Sequence, residues 1–394
     1  MTQADQRTQL QVDQLKQRHF PCGQCGADLL YKPGMKTLQC DYCGHENPVQ
    51  DLAVTLKEYD FRQALQELQQ AKRVPLDSTQ FIKCPNCAST FELQANQHAG
   101  DCPFCGTPVV SDTGETRHFQ AKALLPFHIT EQQAQAAFDK WISSLWFAPS
   151  ALKSKAVRDE KLTGVYVPYW TYDSQTESVY RGQRGTVYYE RRVVTQVIDG
   201  RRQQRTITVP KVRWTPVSGR VRQFFDDVLV GATRSLPRRI LDRIQPWDLH
   251  NLVAYNKAYL SGFQSEVYQV DLDEGFKRAH VLMQQAIRQA VRQDIGGDQQ
   301  QITSLDTQYS DTTFKHILLP VWSAAFRYGG KTYRFVINGR NGRTQGERPY
   351  SKIKIALAII AAMAGFALLM YGLQVSGALD QIMQQSMPVD YYYH

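Results

Sequence analysis

All eight cysteines of the chain occur in pairs, with two residues between the members of each pair. The first four have the spacing C-x2-C-x14-C-x2-C, and the second four repeat that spacing 62 residues later. Each C-x2-C turn can direct two thiolates at one metal ion, and two such turns close a tetrahedral shell that leaves no position for a water molecule. The spacing therefore predicts two closed four-thiolate sites, formed by Cys22, Cys25, Cys40 and Cys43 and by Cys84, Cys87, Cys102 and Cys105.

Zinc is the metal that this donor set favours, and we expect one structural zinc ion in each site. Gly26, Gly44 and Gly106 directly follow cysteine pairs, where glycine allows the positive φ angle that such a turn needs. Short strands are predicted at residues 29–31 and 91–93, so each unit would be a zinc ribbon. A unit of about thirty residues cannot bury enough core to fold alone, so metal binding would supply its folding energy.

The cysteine spacing leaves two other uses of these residues open. Disulfides are common in secreted cysteine-rich domains, but the first twenty residues are polar and show no secretory signal peptide. Iron in a rubredoxin-like site would suit the sequence Cys102-Pro-Phe-Cys105-Gly, whereas the short spacer and the duplication favour zinc. His45 and His98 lie near the ribbons and are interpreted as surface residues rather than as ligands.

One long apolar segment lies near the C-terminus. Residues 355–373 carry no charge, and at about 1.5 Å per residue they nearly span the hydrocarbon core of a bilayer. Basic residues precede this segment and none follow it, so the positive-inside rule places the N-terminal bulk in the cytoplasm and the short tail outside. This predicts a single-pass protein of the inner (cytoplasmic) membrane, where a reducing cytoplasm agrees with zinc-bound thiolates. The preceding basic residues are Arg340, Arg343, Arg348, Lys352 and Lys354.

The excess positive charge of the chain is confined to one segment. The net charge is +9, and residues 180–222 alone carry eleven basic and two acidic side chains. A basic stripe on a neutral body indicates an anionic partner. Three interpretations remain open: a nucleic-acid surface, a surface for anionic lipid headgroups, and a solvated hairpin without a partner. The candidate residues are Arg191, Arg192, Arg201, Arg202, Arg205, Lys211 and Arg213.

The hydrophobic pattern of the remaining chain predicts an α+β fold with a mostly antiparallel sheet. Apolar residues at helical spacing predict helices at 60–73, 130–147 and 272–295, the second with a capping box formed by Thr130 and Gln133. Segments rich in Val, Tyr, Thr and Trp are typical of strands. Strands are predicted at 165–172, 185–197, 205–214, 316–327 and 332–338, with turns at Asp199-Gly200 and Gly329-Gly330.

Seven segments are expected along the chain. A compact α+β domain would follow the two ribbons and precede one C-terminal transmembrane helix. In order, the segments are a polar arm (1–19), zinc ribbon 1 (20–50), a helical linker (51–80), zinc ribbon 2 (81–112), an α+β domain with the Arg-rich hairpin (113–350), the transmembrane helix (351–376) and a short external tail (377–394).

The sequence contains no motif that would support an enzyme. Gly330-Lys331-Thr332 resembles the end of a phosphate-binding loop, but Ala325 replaces the first glycine of that motif and the setting is strand-turn-strand. No H-E-x-x-H or G-x-S-x-G sequence is present. The paired carboxylates Asp226-Asp227 are interpreted as a strand end or a helix cap. We therefore expect a protein without enzymatic activity.

Several sequence motifs resemble a known family. Cys22-Gly-Gln-Cys25-Gly and Cys40-Asp-Tyr-Cys43-Gly are similar to the transcription-factor-IIB-type zinc ribbon. With the later motifs, they resemble a family of bacterial zinc-ribbon membrane proteins, often labelled primosomal protein N′ (replication factor Y) or superfamily II helicase. The later motifs are Val167-Pro-Tyr-Trp-Thr-Tyr-Asp, Phe225-Asp-Asp-Val-Leu-Val, Leu319-Pro-Val-Trp, Val336-Ile-Asn-Gly-Arg-Asn-Gly and Pro349-Tyr-Ser-Lys-Ile-Lys.

This resemblance covers most of residues 20–375 and implies a cytoplasmic, membrane-tethered protein in a complex linked to envelope or phage-related functions. The chain lacks the nucleotide-binding motifs that a helicase needs, so the resemblance does not extend to ATPase activity. The leading hypothesis is a membrane-anchored adaptor whose two zinc ribbons present a protein-binding surface to other proteins of a membrane complex. The alternative is a DNA-binding replication accessory, associated with a primosome or helicase, without an ATPase motor of its own.

Overall fold

A computed structural model describes the chain in eleven stretches. The predicted polar arm, the Asp199-Gly200 turn and the predicted external tail lie outside them, so those predictions stay untested. The described residues are 22–27, 29–49, 58–70, 81–84, 87–92, 99–105, 108–110, 121–150, 162–198, 201–266 and 268–376.

The helices predicted from periodicity are present. The predicted capping box forms, since Gln133 N–H donates to Thr130 Oγ1 at 3.3 Å and Thr130 N–H donates to Gln133 Oε1 at 2.9 Å. That helix ends earlier than predicted, because Leu145 leaves the helical conformation at φ −77° and ψ 85°. Within the described residues the α-helices are α1 (Phe61–Gln70), α2 (Glu131–Ser144), α3 (Arg238–Arg243), α4 (Leu272–Ile295) and α5 (Lys352–Val375).

Within the described residues, nine strands form one mostly antiparallel sheet, and six further strands form three two-stranded sheets. The described strands are β1 (Thr37–Gln39), β2 (Glu46–Pro48), β3 (Tyr59–Asp60), β4 (Phe81–Lys83), β5 (Thr90–Glu92), β6 (Ala99–Asp101), β7 (Pro108–Val110), β8 (Ala123–Leu124), β9 (Thr163–Ile198), β10 (Arg201–Gly231), β11 (Val253–Ala254), β12 (Gln264–Ser265), β13 (Gln299–Tyr328), β14 (Lys331–Asn338) and β15 (Thr344–Gly346). The main strand order of the nine-stranded sheet is β10-β9-β13-β14-β15, and the short strands β3, β8, β11 and β12 pair beside it.

Three of these strands are much longer than the sequence predicts. The predicted strands at 165–172 and 185–197 are parts of β9, which has 36 residues, and β10 and β13 have 31 and 30. The residues between the two predicted strands of β9 are rich in Ser, Thr and Gln, and hydroxyl groups among them bond across the strands. Ser178 Oγ, for example, lies 2.9 Å from Thr307 Oγ1, and Thr176 Oγ1 donates to the carbonyl of Gln223 at 2.8 Å.

The chain divides into two compact units. Unit 1 comprises residues up to 175, 224–283 and 309–349, and unit 2 comprises 176–223, 284–308 and the residues from 350 onward. The long strands β9, β10 and β13 and the helix α4 contribute residues to both units.

The central strands of unit 1 bury side chains on both faces of the sheet. Along β14, Phe335 and Ile337 belong to one hydrophobic cluster and Val336 belongs to the other. Along β13, Leu318 belongs to the first cluster and Leu319 to the second. Because successive side chains of a strand point to opposite faces, the two clusters lie on opposite sides of the sheet.

Each four-cysteine segment is part of one of these clusters. Cys22 and Leu38 pack in the cluster of Phe335, whereas Cys84 and Phe91 pack in the cluster of Val336. The two segments therefore cover opposite faces of one sheet. Their burial also supplies apolar contacts that neither segment could form alone.

The strand predicted at residues 29–31 is absent, and that prediction was wrong. The segment instead bonds to the main body of unit 1, where Tyr31 N–H donates to the Ser261 carbonyl at 3.0 Å and Tyr31 Oη donates to the Phe127 carbonyl at 3.1 Å. Backbone groups that bond across such a long sequence separation leave no local pattern in the sequence. The strand predicted from residue 91 is present in β5, although residue 93 lies outside the described residues.

Candidate metal centres

The four cysteines of the first segment converge on one point. Cys22 Sγ lies 3.6 Å from Cys43 Sγ, and Cys25 Sγ lies 3.5 Å from Cys40 Sγ. All four sulfur atoms lie within 4.8 Å of one another. A zinc ion with Zn–S bonds of about 2.3 Å in a tetrahedron separates its sulfurs by about 3.8 Å, so this group, called site 1, could hold such an ion.

The second segment forms the same arrangement, called site 2. Cys84 Sγ lies 3.5 Å from Cys105 Sγ, and Cys87 Sγ lies 3.5 Å from Cys102 Sγ. These separations far exceed the disulfide bond length of about 2.05 Å, and all eight cysteines are free thiols. The arrangement therefore favours metal ligation over disulfides.

Three of the cysteine turns share one backbone conformation. In each, the first cysteine donates its N–H to the carbonyl five residues later, and its own carbonyl accepts the N–H of the residue four positions later. That later residue is Gly26, Gly44 or Ala88, with φ of +74°, +74° and +58°. The positive φ predicted from the glycines is thus present, and Ala88 adopts it in spite of its Cβ atom, which makes the conformation costly there. Gly106, in the fourth turn, lies outside the described residues.

A polar side chain contacts sulfur at each site, and cysteine spacing alone could not reveal either of them. Ser89 is fully buried, and its Oγ lies 3.1 Å from Cys87 Sγ and 3.2 Å from Cys102 Sγ. At site 1 the amide of Asn47 donates to Cys22 Sγ at 3.8 Å. Such donors stabilise thiolates and orient metal ligands.

The thiols of each site have widely separated pKa values. The backbone N–H of Cys25 lowers the pKa of Cys22 to about 6, although burial opposes this shift. The Cys102 thiol donates to Cys87 and lowers the Cys87 pKa to about 4, and the pKa of Cys102 is raised in turn. Each site thus contains a sulfur that is ionised at neutral pH and can receive a cation, with release of the remaining protons on binding.

The two sites differ in exposure to solvent. Cys25 and Cys43 of site 1 are exposed, whereas three of the four cysteines of site 2 are buried and Cys87 is intermediate. His45 is exposed and is not grouped with the cysteines, and His98 lies outside the described residues. Site 1 is therefore the more accessible of the two to reagents in solution.

A buried carboxyl group lies beside site 2. Glu266 is 2 % exposed, and its backbone forms a β-bridge with Phe91, which lies between the two cysteine pairs of site 2. The hydroxyls of Thr233 and Ser235 donate to its Oε1 atom, the former at 2.6 Å. Burial raises the pKa of Glu266 to about 8, so this group is protonated at neutral pH. No signal in the sequence could have identified it, because it lies far from the cysteines along the chain.

A third group of potential ligands consists of carboxylates alone. Oxygen atoms of Asp173, Asp226 and Asp227 lie within 4.8 Å of one another, but Lys315 Nζ lies 2.8 Å from Asp227 Oδ1 and 3.8 Å from Asp173 Oδ2. Lys315 also lies 3.1 Å from Glu58, so these charges hold the residue before β3 against β13. The interpretation of Asp226-Asp227 as a strand end or helix cap was wrong. Both lie inside β10, where Asp227 has a φ of +51°.

The residues predicted as a patch for an anionic partner lie on β9 and β10 and do not join either metal site. The side chain of Arg201 is not described, and the other six are exposed or half-buried.

Residues of the motifs that carry the family resemblance are largely part of the core. Trp170 is fully buried and donates from Nε1 to the Val270 carbonyl at 2.8 Å. Asn338 is also fully buried, and its amide donates to the Ile244 carbonyl at 3.0 Å. Arg340 is held by Asp248 through its Nε at 3.0 Å. These residues therefore position the sheet and its turns.

Comparison with known proteins gives one informative similarity. The chain is 24 % identical over 353 residues to the uncharacterized protein YdjG of Bacillus subtilis (strain 168), and the match covers 88 % of this chain and 94 % of that protein. No family model and no solved structure matches the chain.

Proposed function

We propose that this protein is a membrane-anchored adaptor whose zinc ribbons present a protein-binding surface at the cytoplasmic face of a bacterial membrane. The observation that carries the proposal is that none of the described side chains of α5 is buried. The segment 352–372 is long and apolar enough to cross a membrane, and none of it is buried in the protein. Leu357, Ile360, Phe366 and Leu369 point to different sides of the helix and are each more than half exposed. Only a bilayer or other helices can remove so much apolar surface from water.

The ends of α5 carry features typical of a membrane interface. Twenty-one residues at about 1.5 Å each give about 32 Å, the thickness of a hydrocarbon core. Tyr350 and Tyr371 lie at the two ends and are 56 % and 68 % exposed, as expected for side chains at the headgroup level. Lys352 and Lys354 at the N-terminal end support a cytoplasmic location for the preceding domain. Arg340 adds little to this charge bias, because Asp248 neutralises it.

Each cysteine site would hold one structural zinc ion. Four thiolates complete the coordination shell, so neither site offers the open position that a catalytic zinc needs. Bound zinc would fix the turns of the ribbons and would contribute to folding rather than to a reaction.

Ribbon 1 offers an apolar surface that an interacting protein could bury. Tyr42 lies between the ligands Cys40 and Cys43 and is 84 % exposed, while Leu30 is 52 % exposed. The ion pair of Lys32 with Asp41, at 2.5 Å, joins the segment that carries Leu30 to the turn that carries Tyr42. Exposed aromatic residues on a rigid support are typical centres of protein interfaces.

The proposal is tested by quantitative co-purification of the full-length protein from membranes solubilised in detergent. We expect Tyr42→Ser to retain two zinc ions per chain but to lose the proteins that co-purify with the wild type. Cys43→Ser should lose the same proteins together with one zinc ion. Trp146→Ser removes an equally exposed aromatic side chain elsewhere in unit 1 and serves as the matched control. Unchanged partners in both ribbon variants, or release of the wild type from membranes by alkaline carbonate, would refute the proposal.

A further inference from the structure

The end of the hairpin formed by β9 and β10 extends beyond the elements that cover the rest of unit 2. Helix α4 ends at Ile295, and β13 begins at Gln299. Between them, Asp298 donates its N–H to the carbonyl of Gly185 in β9 at 2.9 Å. We call residues 186–198 and 201–214 the distal hairpin. None of its described side chains is buried. A two-stranded hairpin without a covering layer is only marginally stable in water, so a binding surface would stabilise it.

The distal hairpin has a large excess of positive charge. Its described side chains include six basic residues and one acidic residue, Glu190, which pairs with Lys211 and lies 3.7 Å from Arg192. Arg213 is placed 5.2 Å from the ring centre of Tyr188. The other three basic residues are exposed and have no acidic partner within the described part of the chain; they are Arg191, Arg202 and Arg205.

Exposed apolar side chains lie among these arginines. Tyr189 is 70 % exposed, Val193 is 64 % exposed and Ile207 is 36 % exposed. Tyr189, Arg191 and Val193 alternate with Tyr188, Glu190 and Arg192 along β9, so arginine and apolar groups occur on both faces of the hairpin. Arginine beside aliphatic and tyrosine side chains suits the boundary between lipid headgroups and acyl chains. There the guanidinium groups can contact phosphate, while the apolar side chains contact hydrocarbon.

We propose that the distal hairpin binds the anionic surface of the membrane in which α5 is anchored. Arg191, Arg202 and Arg205 would contact headgroup phosphates, while Val193 and Ile207 enter the boundary with the acyl chains. The inference rests on the membrane anchoring in the proposed function, because the anchor makes this second contact intramolecular and raises the effective concentration of lipid. The basic flank of α5 places the hairpin on the side of the cytoplasmic leaflet, which carries anionic lipid.

Nucleic acid is the competing ligand for the same arginines. Binding of nucleic acid there would favour the alternative function, a DNA-binding replication accessory. A two-stranded ribbon can enter the major groove, and arginine contacts phosphate there as well. The exposed aliphatic side chains favour lipid, because a charged phosphate backbone offers Val193 and Ile207 no apolar surface to contact. The anchor favours lipid too, because a bilayer is always within reach of the chain.

Hydrogen exchange of the full-length protein in lipid nanodiscs tests the proposal. Discs of phosphatidylcholine alone are compared with discs that also contain phosphatidylglycerol. We expect the backbone amides of the distal hairpin to exchange on the order of tenfold more slowly in the anionic discs, and the difference to disappear at high salt. The variant with Arg191→Gln, Arg202→Gln and Arg205→Gln should show no difference between the two discs.

The matched control changes three exposed arginines of α3, Arg238→Gln, Arg239→Gln and Arg243→Gln, and should behave as the wild type. Equal exchange in both discs, with α5 protected in both, would overturn the lipid proposal and leave the anchor intact. An unprotected α5 would refute the anchor and with it this inference. Protection of the hairpin by duplex DNA in phosphatidylcholine discs, without an effect of anionic lipid, would assign the surface to nucleic acid.

Discussion

At the scale of single residues, the thiolates of site 2 depend on a hydroxyl group that spacing rules do not include. Ser89 Oγ lies within 3.2 Å of two site 2 sulfur atoms, those of Cys87 and Cys102. We predict that Ser89→Ala lowers the zinc affinity of site 2 by about tenfold, because a buried thiolate loses its donor. Competition with a chromogenic chelator measures this change.

The matched variant for this prediction is Asn47→Ala at site 1. Its amide donates to Cys22 over 3.8 Å, in a partly exposed setting where water can replace the lost donor. We therefore expect a much smaller loss of affinity there. Equal losses at both sites, or none at site 2, would show that the hydroxyl does not stabilise the thiolates.

The buried carboxyl of Glu266 gives a pH dependence of stability with a definite sign. The carboxyl ionises near pH 4.3 in the unfolded chain, whereas burial raises the pKa of Glu266 in the folded protein to about 8. The unfolded state therefore loses the proton first as the pH rises, and this residue reduces the stability of the fold progressively from about pH 4.3 to about pH 8.

We predict that Glu266→Gln, which mimics the protonated group, stabilises the protein at pH 8 by up to about 5 kcal/mol and has little effect at pH 4.5. Thermal unfolding of the zinc-loaded protein in detergent between these pH values measures the difference. Glu67→Gln changes an exposed carboxylate on α1 and serves as control. A difference between Glu266→Gln and wild type that does not grow with pH would contradict the prediction.

At the scale of elements, the sequence predicts which segments are helices better than it predicts which residues pack. The helical pattern of α1 places Phe61, Ala64, Leu65 and Leu68 on one face, yet only Phe61 and Ala64 are buried, and Leu68 is 40 % exposed. Phe61 lies 4.3 Å, between ring centres, from Phe276 of α4. A pattern identifies a face of a helix, but the width of the partner surface determines how much of that face is buried.

This difference predicts unequal effects of two substitutions in the same helix. Phe61→Ala should reduce the free energy of unfolding by about 3 kcal/mol, because it leaves a cavity against Phe276 and Tyr172. Leu68→Ala should reduce it by less than about 1 kcal/mol, since its side chain is already in contact with water. Similar shifts in the unfolding temperature of the two variants would indicate that Phe61 does not anchor α1.

The strands show where sequence patterns stop being informative. The Gly329-Gly330 turn was predictable, and both glycines have positive φ between β13 and β14. The lengths of β9, β10 and β13 were not, because buried Ser174, Thr176 and Ser178 extend the sheet with polar rather than apolar side chains. Cross-strand hydroxyl pairs stabilise a sheet without producing a hydrophobic alternation.

At the scale of the whole molecule, local spacing was enough to predict that the eight cysteines form two groups of four. It did not predict how the two four-cysteine segments pack against the sheet. Site 1 packs with Phe127 and Phe335, and site 2 packs with Val165 and Val336. These partners are separated from the cysteines by dozens to hundreds of residues in the chain, so no periodicity records the contact. The consequence is two four-cysteine groups of the same geometry on opposite faces of one sheet, with different access to solvent.

We therefore predict that the two zinc ions leave in order. Titration with a mercurial reagent should release the site 1 ion first, because Cys25 and Cys43 are exposed, and the site 2 ion only when unit 1 opens. Cys43→Ser should abolish the fast phase and retain one ion. Cys105 is 2 % exposed and lies in the hydrophobic cluster. Cys105→Ser should therefore also lower the unfolding temperature, because it removes a metal ligand from inside that cluster. Simultaneous release of both ions from the wild type would contradict this order and would mean that the sheet does not shield site 2.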